Sequence, residues 1–214
     1  WNTLNTAPGQ TLNFNMTAGQ TALNRVITPS LSRFAGNLTS TGGRVIISNP
    51  LGMIFENGSY TNVNSLILTT KDAQFVNDQL KLNDVNSSAG IKIGGEGNSQ
   101  YAAVMRVADD LNIISNDIKI NNADIFAGNN VNLVTADGVT YVAGNDITTD
   151  ETNANAINQN SIGIENSIIA VKDNANGNIH FITKGNKADV KVASSALDGK
   201  VKMDVDGNAD LNVI

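Results

Sequence analysis

Four groups of residues carry side chains whose types could do chemistry. Asp204-Val205-Asp206-Gly207-Asn208-Ala209-Asp210 spaces carboxylates like a calcium loop. An EF-hand loop, however, needs glycine where Ala209 stands and a glutamate at its twelfth position, so a solvated turn is the plainer reading. His180 is the only histidine and lies between Ile179 and Phe181. A metal or catalytic site would need a partner for it that the sequence does not display, which leaves a surface position on a strand. Gly94-Gly95-Glu96-Gly97 follows a strand-like run but opens no helix. It therefore lacks the amide cradle and dipole of a phosphate loop and reads as a flexible corner. Asp109-Asp110 resembles the calcium-binding acids of β-helical polysaccharide lyases, but adjacent residues on a strand point to opposite faces and make a poor chelate.

A fifth group has the chemistry of a turn. In Asn49-Pro50-Leu51-Gly52-Met53-Ile54 the asparagine can bond its local backbone, proline fixes φ, and glycine accepts a positive φ. The pairs Ile46-Ile47 and Met53-Ile54 would be the strands it joins. Such turns are common, so spacing alone leaves open whether this one is only a turn. One turn residue is expected to be worth about 1 kcal/mol.

The elements that must position these groups are short strands. Leu66-Ile67-Leu68, Ile91-Lys92-Ile93, Ile118-Lys119-Ile120, Val131-Asn132-Leu133, Ile162-Gly163-Ile164 and Val190-Lys191-Val192 are apolar pairs cut off by Asn, Asp and Gly. No segment holds a helical period. Even spacing of short strands admits a sandwich, a barrel or a solenoid. Asparagine, at 33 positions, favours the solenoid, because it recurs beside the apolar pairs, where stacked coils would ladder its amides and use its tolerance of left-handed backbone. The stretch 144–161 is polar and Asn-rich and reads as a long loop or small excursion.

Only 16% of residues are charged and 5% aromatic, the net charge is -6, and the 14 Lys and Arg form no run, which argues against nucleic acid as a partner. With no cysteine, neither disulfides nor a thiolate metal site is available. The apolar runs are far too short for a membrane-spanning helix.

Three stretches together resemble the two-partner secretion (TPS) domain, the haemagglutination-activity domain of filamentous-haemagglutinin-like exoproteins. They are Trp1-Asn2-Thr3-Leu4-Asn5, Thr21-Ala22-Leu23-Asn24-Arg25-Val26, and Arg44-Val45-Ile46-Ile47-Ser48-Asn49-Pro50-Leu51-Gly52-Met53-Ile54-Phe55. Phe34-Ala35-Gly36-Asn37-Leu38 looks like the family's short Gly-Asn/Ser-Leu strand, and Gly58 to Leu66 like its following coil. Leu51 departs from the family's Asn-Pro-Asn-Gly. An Asn-Pro-Asn-Leu motif is absent, which places the resemblance in the high-molecular-weight-adhesin branch. The family domain also has some tens of residues, forming a cap, ahead of the Trp-Asn stretch, which points to residues preceding Trp1. The motifs cover about residues 1–70; the remainder, 71–214, matches in style.

The resemblance implies an all-β fold, a right-handed parallel β-helix (solenoid) with short extra-helical strands or loops, forming one domain over 1–214. It implies an N-terminal secretion and folding-nucleation module of a secreted or cell-surface exoprotein, adhesin, haemolysin or contact-dependent inhibition type, that transits a Gram-negative periplasm. The partner would be a cognate outer-membrane transporter with periplasmic domains, which would recognise Asn49, Pro50, Gly52, Met53 and Ile54, with Asn24 and Arg25 as a secondary motif. A host or neighbouring-cell receptor could be met through the full exoprotein. The domain is expected to be a monomer with no catalytic residues, metal or cofactor. The rival readings are a β-helical carbohydrate-binding module and a lyase-like enzyme, the latter opposed by the scattered charges.

Overall fold

Asp117–Asn121 shows how the fold is built: Ile118 and Ile120 are buried and Lys119 between them is exposed. This alternation is what a strand with one face on a core requires. In the computed structural model, which describes residues 1–85, 88–144, 146–151, 160–172, 176–185 and 188–214, such strands stack in parallel. Ile120 lies opposite Ile93 on one side and Ile164 on the other, and the row continues to Phe55, Phe34 and Val192. Phe34 and Phe55 stack with ring centroids 4.5 Å apart. Like side chains thus lie on like, and one continuous apolar core runs through the stack.

Each coil contributes a strand to each of three faces. The first face holds Ser32–Phe34, Met53–Asn57, Ile91–Gly97, Asp117–Asn121, Ser161–Glu165, the start of Asp189–Asp198, and Ala209–Val213. The second holds Thr11–Phe14, Asn37–Ser40, Tyr60–Val63, Ala103–Val107, Ala123–Ala127, Ile168–Val171 and the end of Asp189–Asp198. The third holds Thr21–Arg25, Arg44–Ser48, Ser65–Thr69, Leu111–Ile114, Val131–Ala136, Asn178–Lys184 and Lys200–Val205. The chain is a right-handed parallel β-helix, the hand that parallel crossovers take.

Asparagine occupies the corners, as its frequency suggested. Between the first and second faces the chain turns through left-handed backbone at Asn122 (φ 53°) and Asn166 (φ 48°). Beside the third face Asn178 Nδ2 donates to Asn130 Oδ1 (3.0 Å) and Asn130 Nδ2 to Asp110 Oδ1 (2.8 Å), linking three successive coils.

Two hairpins leave the helix between the third and first faces. Asp72–Val76 pairs with Gln79–Asn83, and Val139–Ala143 with Asp146–Asp150. The inner strands pair antiparallel with each other, giving a four-stranded sheet. Its Ala73, Leu80, Leu82 and Val142 cover the outward Ile46, Ile67, Ile114, Val134 and Ile182 of the third face in a second apolar cluster. This explains why strands such as Arg44–Ser48 and Ser65–Thr69 are apolar at consecutive positions. The stretch 144–161, read from sequence as a polar loop, contains the strand Asp146–Asp150; its residues 145 and 152–159 lie outside the described residues. Asp-Ile-Thr-Thr-Asp offers one aliphatic side chain, but β-branched residues suit an edge strand solvated on one side.

Candidate recognition turn

The turn at Asn49 closes between the third and first faces. Gly52 N–H donates to the Asn49 carbonyl (2.9 Å) and Leu51 N–H to Asn49 Oδ1 (3.0 Å), so the side chain and backbone of Asn49 both hold the loop. Gly52 takes φ 98°, and a Cβ there would stand 2.7 Å from the Gly90 carbonyl of the next coil. No other residue type fits without a shift of backbone.

Neighbouring coils then fix the turn from both sides. Asn49 Nδ2 donates to the Ser30 carbonyl and to Ser32 Oγ, each at 2.9 Å. Asn49 N–H donates to the Thr69 carbonyl (3.0 Å) and Met53 N–H to the Gly90 carbonyl (3.2 Å). Asn49 and Met53 are 0% exposed and Ile54 4%, whereas Leu51 is 42% exposed. Leu51, where the motif departs from its usual form, is thus the side chain of the turn that stands outward.

The second motif adjoins the first, because Thr21–Arg25 pairs with Arg44–Ser48 and sets Arg25 opposite Ser48. Asn24 is buried; its Nδ2 donates to the Ile46 carbonyl (3.2 Å) and its Oδ1 accepts from Trp1 Nε1 (2.9 Å). Arg25 ion-pairs with Asp72, the first residue of the extra-helical sheet. Asn24, Arg25 and Asn49 therefore tie the first coils to one another and to that sheet.

Sequence reasoning missed Lys71. Its side chain is 0% exposed, with Nζ 2.9 Å from the Gly138 carbonyl and 3.4 Å from Asp84 Oδ1. Asp84 Oδ2 in turn accepts from Gly138 N–H (3.3 Å), so three residues join the bases of both hairpins. Burial lowers the Lys71 pKa, against the opposing pull of Asp84. In Leu-Thr-Thr-Lys-Asp nothing distinguishes this lysine from a solvated one.

The remaining candidates fall to structural roles. Asp204 and Asp206 receive Lys184 Nζ at 2.5 and 2.8 Å, and the lysine holds the Asp206 carboxyl below its usual range. Gly94 to Gly97 form the irregular end of the strand Ile91–Gly97 and not a corner, and Glu96 there pairs with Arg33 and Lys92. Asp110 bonds Asn130, while Asp109 accepts from Ser65 Oγ (3.2 Å), so the two carboxylates serve separate partners. No cluster of three metal-ligating acids or histidines occurs among the described residues. EDTA should accordingly leave the melting temperature unchanged. A drop of several degrees would assign a metal to the Asp204 to Asp210 segment.

A family model described as the TPS secretion domain matches residues 1–213. The chain belongs to the TPS secretion domain family. The TPS domain is similar to the HMW1 secretion domain from Haemophilus influenzae, with a TM-score of 0.63 and 16% identity, covering 96% of this chain and 65% of that one. It also matches a filamentous hemagglutinin secretion domain over 90% of this chain and 75% of that one, with a TM-score of 0.49 and 15% identity. In sequence, 127 residues are 30% identical to a heme/hemopexin-binding protein of Haemophilus influenzae; they are 58% of this chain and 14% of that protein. The TPS domain thus spans a small part of the relative it matches. Its family is one of secretion modules of haemagglutinin-like exoproteins that pass the Gram-negative outer membrane, and not an enzyme family.

Proposed function

We propose that a cognate outer-membrane transporter, through its periplasmic domains, reads Asn49, Pro50, Gly52, Met53 and Ile54, with Asn24 and Arg25, before the chain folds. The observation that carries this reading is burial. The amide of Asn49 and the side chain of Met53 are enclosed in the folded helix, and Ile54, on the outer side of its strand in register with Arg33 and Lys92, is still only 4% exposed, so a partner can reach the three side chains only in an extended segment. Strand addition would suit such a segment. Folding outside the membrane then withdraws the motif and releases the partner.

The 214 residues act as a single unit in this scheme, and the way each coil buries its inward row on the one before supports a role in starting the fold of later coils. Beyond the membrane the exoprotein would stay at the cell surface or be released, and meet a host or neighbouring cell through its other parts.

Secretion of a fusion carrying this domain tests the reading. Pro50→Ala should lower the secreted amount several-fold while the periplasmic pool rises and the melting temperature of the refolded variant moves by a few degrees at most. Secretion that tracks lost stability across Pro50→Ala, Leu51→Asn and Met53→Leu would reduce the segment to a structural turn.

A further inference from the structure

On the third face one outward row changes character along the stack. Leu23, Ile46 and Ile67 are followed in register by Asn112, Asn132, His180 and Lys202. The extra-helical sheet covers the apolar part, and its edge strand Asp146–Asp150 forms a wall beside the polar part. Between wall and face lies a groove of about 310 Å³, lined by Asn132, Asn178, His180, Lys202, Asp146 and Ile147 among others.

The polar atoms facing this groove are oriented in one sense. Asn132 Nδ2 donates to Asn112 Oδ1 (2.7 Å), and Asn178 Nδ2 to Asn130 Oδ1 (3.0 Å), both toward the preceding coil. Each ladder therefore leaves a carbonyl oxygen, Asn132 Oδ1 and Asn178 Oδ1, for which the described residues provide no donor. Asn132 is only 8% exposed, so its side chain is held in place by its neighbours while it lines the groove. The His180 ring and the Lys202 ammonium likewise have no hydrogen-bond partner among the described residues, and Asp146 lines the same groove from the wall. Burial, and then Lys202, lower the His180 pKa, so near neutral pH its imidazole can both donate and accept.

We propose that this groove binds one ring of a saccharide through its hydroxyl groups. Hydroxyls are donors and acceptors at once. A groove that alternates fixed amide oxygens, an imidazole, an ammonium and a carboxylate satisfies both senses within one ring's reach. The opposite charges of Asp146 and Lys202 favour a neutral ligand over an anion. The volume is at the small end of ligand sites, as a single ring requires. Without an aromatic platform the affinity is millimolar. The site is independent of secretion, since its residues lie in the later coils, away from the Asn49 turn.

Titration of the 214-residue chain with glucose, galactose and mannose, followed by NMR of the asparagine side-chain amides, tests the proposal. At least one sugar should give saturable shifts at Asn132 and Asn178. His180→Ala should weaken it by about fivefold, the loss of one hydrogen bond. Lys202→Ala, at an exposed end of the row, should do the same, and Lys191→Ala on the first face should change nothing. No saturable shift with any of the three sugars would overturn the proposal. So would shifts that persist unchanged in both the His180→Ala and Lys202→Ala chains.

Discussion

Asn49→Ala should lower the stability of the folded domain by about 2–5 kcal/mol, far more than a turn residue usually commands. The substitution removes two donors and one acceptor. It strands the buried Ser32 hydroxyl, leaves the part-buried Ser30 carbonyl without its donor and frees Leu51 N–H from its bond. Each buried group left without a partner costs about 1–3 kcal/mol, and the two part-buried groups rehydrate only in part. Domain stabilities are about 5–15 kcal/mol, so a large share is at stake. The urea midpoint should fall with little change in slope. A loss near 1 kcal/mol, the value expected from sequence for a plain turn residue, would show that the amide does not hold the neighbouring coils together.

Lys71→Met should cost about 3–5 kcal/mol, because it leaves the Asp84 carboxylate buried without its ammonium. The second substitution Asp84→Asn, made in the same chain, should recover much of that. Hydrogen exchange should localise the damage: amides of 72–83 and 139–150 should lose protection before those of the coils. The pH dependence has a definite sign. Burial lowers the folded pKa of Lys71 below 10.5. Between that lowered value and 10.5 the unfolded chain binds more protons, so the stability of the parent chain should rise with pH relative to Lys71→Met. A flat difference across that window would mean that the ammonium is not desolvated. Equal loss of protection in coils and hairpins would mean that Lys71 supports the whole stack and not the extra-helical sheet.

Alternation in Ile91-Lys92-Ile93 or Ile118-Lys119-Ile120 made the coils legible, since a strand with one buried face must show it. The corners were legible through asparagine. The turn at 49–52 was visible because proline and glycine mark their own dihedral angles. Illegible was whatever depends on residues far apart in the chain. Ser30 and Ser32 carry no sign that they receive the Asn49 amide, and Lys71 looks like any lysine. The second apolar cluster was half visible, as consecutive apolar residues in Val45-Ile46-Ile47 and Leu66-Ile67-Leu68. The strand that helps cover it, Asp146–Asp150, is too polar to show a period. His180 illustrates the same limit. Its place on a strand surface was readable, but the groove beside it exists only once the second hairpin is folded.

The pairing of Gln79–Asn83 with Val139–Ala143 also imposes an order in time. Every coil can settle on the one made just before it, a contact that closes a short stretch of chain. The first hairpin meets an earlier coil through the Arg25–Asp72 ion pair, but the strand it pairs with is synthesised, and would emerge from a pore, two coils later. Until then the outward aliphatic side chains of the third face lack the cover of Val142 and Ile147, and Lys71 has no Gly138 carbonyl to reach. A chain threaded end first therefore builds its spiral continuously but closes its side sheet in one late step, which acts as a clasp over coils already wound.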